Sequence, residues 1–358
     1  MHYCFITLGT INTHAGYIRA RHLGRALCQR GVRVSYVIDD YPENHPADVD
    51  SRAELAYIAR KAKGIKQRRR AVRELAPDFV EVLNPTPKSL LAIAGLRRPK
   101  IVGVWDEPLI LHDCGFVRNR LNVFLDGWLH RHADVRVVCT RKLQSLFLDR
   151  WKQRALYMPH AMYLPEFPSS DSPFVLPTVV YMGSFYPVWD HDLLFEAFVL
   201  LAQEGIKPPI QMIGTGPDLP RWKAFCEQHG LDNVTFPGFM TGPELWRRLQ
   251  HAHALLFPIR PTFLNECRCP SKTLAYAQAH RPIITNRVGE VAVMLGDKAI
   301  YVEPTPHGFA SAIRDACLAQ KLPDIDYGIE KHNWGARADD LLAELNLHLP
   351  PAAFISRT

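Results

Sequence analysis

Glu266-Cys-Arg-Cys-Pro-Ser-Lys-Thr-Leu-Ala-Tyr-Ala-Gln-Ala-His-Arg-Pro-Ile-Ile-Thr285 is the stretch whose reading decides the fold. It reads as a Pro-Ser loop, a short helix that begins near Lys272, a turn at His280-Arg281-Pro282 and a buried strand. Another strand, residues 254–258, comes shortly before it. A helix N-terminus reached from a strand end is where an α/β protein holds a phosphate, because unpaired backbone N–H groups and the positive end of the helix dipole point there. Lys272 adds a mobile point charge at that spot. The competing reading of the same residues is an ordinary helix after a loop, with Lys272 solvated.

Outward from this stretch the chain alternates strand and helix. In the second half, strands are predicted at residues 178–182, 210–213, 234–236, 254–258 and 283–285, with helices at 192–202, 219–229 and 244–251 between them. The first half repeats the pattern, with strands at 3–8, 32–38, 79–82, 101–104 and 135–139 and an amphipathic helix over 17–29 ended by Gly31. Such alternation specifies a parallel sheet with helices on both faces. Residues 159–177, rich in Pro and Ser and without periodicity, read as a linker. The expected fold is therefore α/β: two Rossmann-like, doubly wound domains facing each other across a cleft at their strand C-terminal edges. The boundaries fall at 1–170 and 171–330, followed by a helix and tail over 331–358 that packs back across the domains.

Composition agrees with a two-domain globular protein. The chain has 358 residues, 47% hydrophobic and 22% charged, enough for two cores and too little charge for wholesale disorder. No apolar run reaches the ~18 residues of a membrane span. The opening Met-His-Tyr-Cys-Phe-Ile lacks a basic n-region and reads as a strand, not a signal peptide. Eight scattered cysteines, mostly in apolar stretches, suit a reduced, cytoplasmic protein. Cys267-x-Cys269 has no second Cys or Cys/His pair at zinc spacing, so no metal is expected. The net charge of +7 is uneven: residues 1–170 hold 27 basic against 16 acidic side chains. That excess predicts a polyanion, an anionic membrane face or a phosphorylated substrate as the partner of the first half.

Three further segments carry chemistry. Thr178-Val-Val-Tyr-Met-Gly183-Ser184 is a strand ending in small residues, which let backbone N–H groups approach a diphosphate. Met212-Ile-Gly214-Thr-Gly216-Pro217 and Asn233-Val-Thr-Phe-Pro-Gly238-Phe-Met240 follow at the next two strand ends. The Gly-x-Gly pair lacks the third glycine and the acidic residue of a dinucleotide fingerprint. In order and spacing these segments, with the Lys272 stretch and Trp334, resemble the donor-binding half of GT-B glycosyltransferases, especially family 4 (group 1). That family commonly reads Pro-x-Lys-x-x-Glu-Tyr-x-Ala-x-Gly-x-Pro-Val-Val. The resemblance covers residues 175–345 well and the first half loosely.

The resemblance implies a hexosyl- or related glycosyltransferase of polysaccharide biosynthesis, with a nucleotide-sugar as co-substrate and no metal cofactor. Gly183 and Lys272 would face the donor diphosphate, with Gly16, Ser184, Gly214, Ser271 and Thr273 completing the cradle. Backbone near Phe239 and Met240 would hold the base, and Glu266 would sit by the donor sugar. Two departures stand out. Ala275 occupies the place of the ribose-binding Glu, for which Gln278, one turn on, can substitute. Trp189-Asp-His191 occupies a region where basic residues are usual.

In the first half, Gly9 and Thr13-His14-Ala-Gly16-Tyr17 form the loop into the first helix, where His14 either orients an acceptor or donor hydroxyl or is merely solvated. Trp105-Asp106-Glu107-Pro108 follows a strand directly, at the edge where open α/β sheets gather active-site groups. Asp106 is a candidate general base if the enzyme inverts, and a capping residue otherwise. Arg118 and Arg120 suit an anionic acceptor or, equally, surface salt bridges. Residues 60–73 carry eight basic side chains and no acidic one and read as one charged helix face, either merely solvated or, through Arg68, Arg69 and Arg70 at the centre, meeting an anionic membrane or lipid-phosphate acceptor. The expected enzyme is cytoplasmic, peripheral on the inner membrane face, retaining, and directed at a glycan or lipid-linked saccharide. A non-catalytic nucleotide- or glycan-binding relative is the second reading. A nucleic-acid binder is the third, disfavoured because no aromatics interleave with the basic run.

Overall fold

The computed structural model of the chain describes residues 1–6, 15–40, 57–62, 64–97, 99–106, 115–162, 171–319 and 322–349. The chain divides into two compact units, Met1–Tyr163 with His332–Thr358, and Leu164–Lys331. Among the described residues no helix is long and apolar enough to cross a membrane.

The first unit is built on seven parallel strands, β1 (His2–Ile6), β2 (Arg33–Asp39), β3 (Tyr57–Ala62), β4 (Phe79–Leu83), β5 (Lys100–Trp105), β6 (Val135–Val138) and β7 (Leu156–Tyr157), in the order β3-β2-β1-β4-β5-β6-β7. Helices α1 (Ala15–Cys28), α2 (Ile65–Leu75), α3 (Pro87–Ile93), α4 (Phe116–His132) and α5 (Arg141–Trp151) connect them. Every residue of β1 is buried, as expected of a central strand covered on both faces. The last helix, α13 (Trp334–Asn346), belongs to this unit and packs on α1. The Asn333 side chain caps it by accepting from the Ala336 N–H at 2.8 Å, and buried Trp334 stacks on His22.

Two strands of this unit escaped the sequence pattern. The β3 sequence Tyr-Ile-Ala-Arg-Lys-Ala is an edge strand with two basic residues, and β7 is two residues long. The basic run of residues 60–73 is therefore no single helical face: it is divided between β3 and α2. Arg68, expected on a membrane-facing surface, is fully buried and ion-paired with Asp39. An arginine turned into the core by the apolar Ala71, Val72 and Leu75 face of α2 cannot reach a membrane or an acceptor, which corrects that assignment.

The second unit carries six parallel strands, β8 (Val179–Met182), β9 (Ile210–Ile213), β10 (Val234–Gly238), β11 (Ala254–Phe257), β12 (Ile283–Thr285) and β13 (Ile300–Tyr301), ordered β10-β9-β8-β11-β12-β13. Around them lie α6 (Asp192–Gln203), α7 (Leu219–Gln228), α8 (Gly242–Gln250), α9 (Phe263–Glu266), α10 (Lys272–Gln278), α11 (Gly289–Leu295) and α12 (Pro306–Leu318). The core on one face is aromatic: Phe195 of α6 stacks on Trp222 of α7 with centroids 4.4 Å apart. Strand order reverses between β8 and β11, and at such a switch point an open sheet offers its ligand crevice. The Gly183 loop leaves β8 there, and α9 and α10 follow β11.

Candidate donor site in the second unit

Lys272 opens α10 half-buried, with its ammonium enclosed by aromatic rings. Nζ lies 4.3 Å from the ring centroid of Tyr181, 5.0 Å from Phe257 and 5.4 Å from Trp189, and donates to Tyr181 Oη at 3.1 Å. Among the described residues no carboxylate pairs with it. Burial without a counter-charge pushes the ammonium down to about 7. A cation so placed gains from any anion that enters.

Gly183 supplies the room for that ammonium. A Cβ at this position would lie 2.4 Å from Lys272 Nζ and 2.8 Å from Tyr181 Oη, so only glycine lets the ammonium stand over the end of β8. Gly214 is tighter still: its φ of +136° suits glycine alone, and a Cβ there would be 1.7 Å from the Gly183 carbonyl oxygen. The Gly214 N–H donates to the Gly238 carbonyl at 2.8 Å, tying the ends of β8, β9 and β10 into one platform. Tyr276, one turn along α10 from Lys272, fixes the helix to that platform. Its hydroxyl accepts from the Met182 N–H at 2.6 Å and faces the Leu256 carbonyl at 3.2 Å.

The departures from the family pattern also have local explanations. Trp189 and Ser184 bond to each other, Nε1 donating to Oγ at 3.1 Å, so the loop after Gly183 closes on itself. A cation reaches this region from another element: the buried Arg268 guanidinium sits 5.0 Å from the Trp189 ring centroid and donates to Asn265 Oδ1. Cys267 and Cys269, on either side of it, are buried thiols. Ala275 and Gln278 are both half-buried on α10. Glu266 ends α9 against α11, where a Cβ at Gly289 would meet its Cα and carbonyl oxygen at 2.8 Å.

The remaining expected donor residues are spread over the same edge. Ser271 is exposed just ahead of α10, and its side chain caps nothing. Thr273 is fully buried, its hydroxyl without a partner among the described residues. Phe239 is 71% exposed just past β10, beside half-buried Met240. An exposed phenyl ring at a strand end offers a stacking surface for a flat base. Sequence reasoning passed over Tyr181, His191, Tyr276 and Arg268. Tyr181 was accessible to it, since residues two apart in a strand share a face and Tyr181 precedes Gly183 by two. His191 carried no such signal.

The first unit gathers its own polar cluster at the sheet edge. Asp106, directly after β5, lies 2.9 Å from His160 Nε2. Burial pushes its carboxyl up, but His160 and Arg19 outweigh burial and hold it below the usual carboxylate range. Beneath it, Glu81 of β4 pairs with Arg19 and accepts from Tyr3 Oη at 2.7 Å. Gly16 lies in the first turn of α1, whereas Gly9, Thr13, His14 and Glu107 lie outside the described residues. Arg118 and Arg120 project from the start of α4, Arg120 over the Phe116 ring. Arg69 donates to the Leu91 carbonyl, and Arg70 pairs with Glu74.

Comparison with known proteins places residues 176–318 in the sequence model of the family described as glycosyl transferases group 1. The resemblance read from the sequence thus holds for the segment that carries Gly183, Gly214 and Lys272. No curated protein sequence matches the chain. Solved structures share the fold over nearly the full length. HepE of Anabaena, in complex with UDP-glucose, superposes with a TM-score of 0.73 at 11% identity over 98% of this chain and 100% of that one. Sucrose-phosphate synthase from Thermosynechococcus elongatus gives 0.71 at 16% identity, over 97% and 100%. TarM of S. aureus, solved as a mutant in complex with Fondaparinux, alpha-GlcNAc-glycerol and UDP, gives 0.65 at 10% identity, over 96% and 99%. The fold is that of the GT-B glycosyltransferases.

Proposed function

We propose that this chain is a glycosyltransferase that moves a sugar from a nucleotide-sugar donor to a glycan or lipid-linked saccharide, with retention of configuration and without a metal. One observation carries the proposal: an ammonium, Lys272, with no carboxylate partner among the described residues, caged over Gly183 at a sheet switch point, within the segment that matches the group 1 family. A charge fixed where the departing diphosphate gains negative charge lowers the barrier without reorganising solvent. The state of Asp106 favours retention. A carboxylate held below its ordinary range by His160 is a poor proton acceptor. The leaving phosphate oxygen then takes the acceptor proton.

A cytoplasmic enzyme resting on the inner membrane face is part of the proposal. Arg118 and Arg120 stand on α4 among Phe116, Val117, Val123 and Phe124, all strongly exposed. Mixed apolar and basic side chains on one helix suit an anionic bilayer interface. The second reading, a non-catalytic nucleotide-binding relative, is favoured by Ala275 in place of the ribose-binding carboxylate. A thermal-shift screen of UDP-, GDP-, ADP- and TDP-sugars identifies the donor, since a ligand of the native state raises the melting point. Release of nucleoside diphosphate in the presence of an acceptor then separates enzyme from binder. If no nucleotide-sugar raises the melting point, the proposal fails.

A further inference from the structure

We propose that Tyr181 and His191 are positioning residues for Lys272, forming a hydrogen-bond chain that presents its ammonium, charged, to the donor phosphates. The proposal rests on the donor-site reading above and adds the device that makes Lys272 usable there.

The chain follows from which atoms can donate. An ammonium has donors only, so in the 3.1 Å contact with Lys272 Nζ the Tyr181 oxygen accepts. The single Tyr181 proton then goes to the other neighbour, His191 Nε2, at 2.8 Å. Nε2 must be bare, which makes His191 the neutral tautomer with its proton on Nδ1. Burial first, and Lys272 second, push the imidazole down to about 3, only partly opposed by Asp192. His191 Nδ1 is buried without a hydrogen-bond partner among the described residues, a costly arrangement for a side chain with a packing role alone. The ring is clamped in this orientation by stacking on Phe185, centroids 4.9 Å apart and planes 15° from parallel.

The consequence for Lys272 is electrostatic. With its proton committed to His191, the Tyr181 oxygen can turn only lone pairs toward Nζ, and this favours the ammonium. Were His191 unable to accept, the hydroxyl could turn its proton toward Nζ and favour the uncharged amine. The chain therefore opposes the desolvation that drives Lys272 toward neutrality. Other groups packed around the site leave this role to it. Asp192 is held by Arg260, Tyr276 is bonded to backbone, and Trp189 brings the Arg268 cation.

Three variants test the chain: Tyr181→Phe, which keeps the ring and removes the hydroxyl; His191→Leu; and His191→Gln, whose amide oxygen can still accept from Tyr181. The first readout needs no nucleotide. NMR titration of 13C-labelled lysine should show the Lys272 midpoint falling by about one pH unit or more in Tyr181→Phe and His191→Leu, while His191→Gln stays near the parent. UDP-glucose affinity at pH 7.5 should fall about tenfold in the first two, with uridine affinity unchanged. A folded Tyr181→Phe protein with the parental Lys272 midpoint overturns the proposal. Should that variant not fold, the His191 pair decides, and equal midpoints in Leu and Gln overturn it. If the midpoints move as stated but neither the parent nor any variant binds a nucleotide-sugar, the chain stands and the donor-site reading falls.

Discussion

Donor binding should be linked to the protonation of Lys272. Burial beside three aromatic rings, with no carboxylate at hand among the described residues, pushes the ammonium down to about 7. A bound diphosphate supplies the missing counter-charge and raises that value, so binding takes up a proton wherever free Lys272 is uncharged. Above pH 7 the affinity should therefore drop by about tenfold, or about 1.4 kcal/mol, per pH unit. Between pH 6.5 and 8.5 the charged fraction falls from roughly three-quarters to roughly 3%, a loss of roughly 25-fold in affinity. UDP-glucose is the right probe, because both its phosphates are esterified, whereas a terminal phosphate titrates near pH ~6 and confuses the profile. Calorimetry at pH 8 in buffers of different ionisation enthalpy should report about 0.9 proton taken up per site. Lys272→Met should bind weakly and without pH dependence. A flat profile in the parent, or a slope that survives in Lys272→Met, would refute the assignment.

The same titration predicts a stability trend. The folded-state value of Lys272 lies below the unfolded value of 10.5, so between them the unfolded chain binds more protons. Stability of the ligand-free protein should then rise with pH across that window by way of this group, and the rise should vanish in Lys272→Met. Gly183→Ala should displace the movable end of Lys272 and crowd Tyr181 Oη, and so lose diphosphate affinity while keeping uridine affinity; equal loss of both would place the site elsewhere. Arg68→Met removes the buried ion-pair partner of Asp39, itself 6% exposed. The expected cost is about 3–5 kcal/mol in urea unfolding, and less than about 1 kcal/mol would put Arg68 on the surface after all. Asp106→Asn should lower turnover far less than the ~100-fold or more expected for loss of a general base, and NMR of the product should show a retained anomeric configuration. An inverted product would overturn the mechanism.

Local sequence determined most of the elements and their order, though not the edge strands β3, β7 and β13. Short continuous apolar runs such as residues 3–6 and 254–257, separated by amphipathic segments, bury both faces as parallel strands covered by helices. The glycines at strand ends mark where backbone must pass backbone, as the contact of Gly214 with the Gly183 carbonyl illustrates. The Lys272 segment was legible because a loop, a lysine and a helix start are contiguous. Tertiary structure alone decided the rest. The run of basic residues at 60–73 looked like one charged face, but β3 and α2 divide it, and the helix turns Arg68 inward to Asp39, 29 positions away. Asp106 meets His160, and Lys272 meets Tyr181 across 91 positions, through loops and strand ends that no local periodicity specifies. A side chain's charge is written in the sequence, but its protonation depends on what is packed around it. The value of about 7 for Lys272 therefore came into being only when β8, β11 and α10 closed on it.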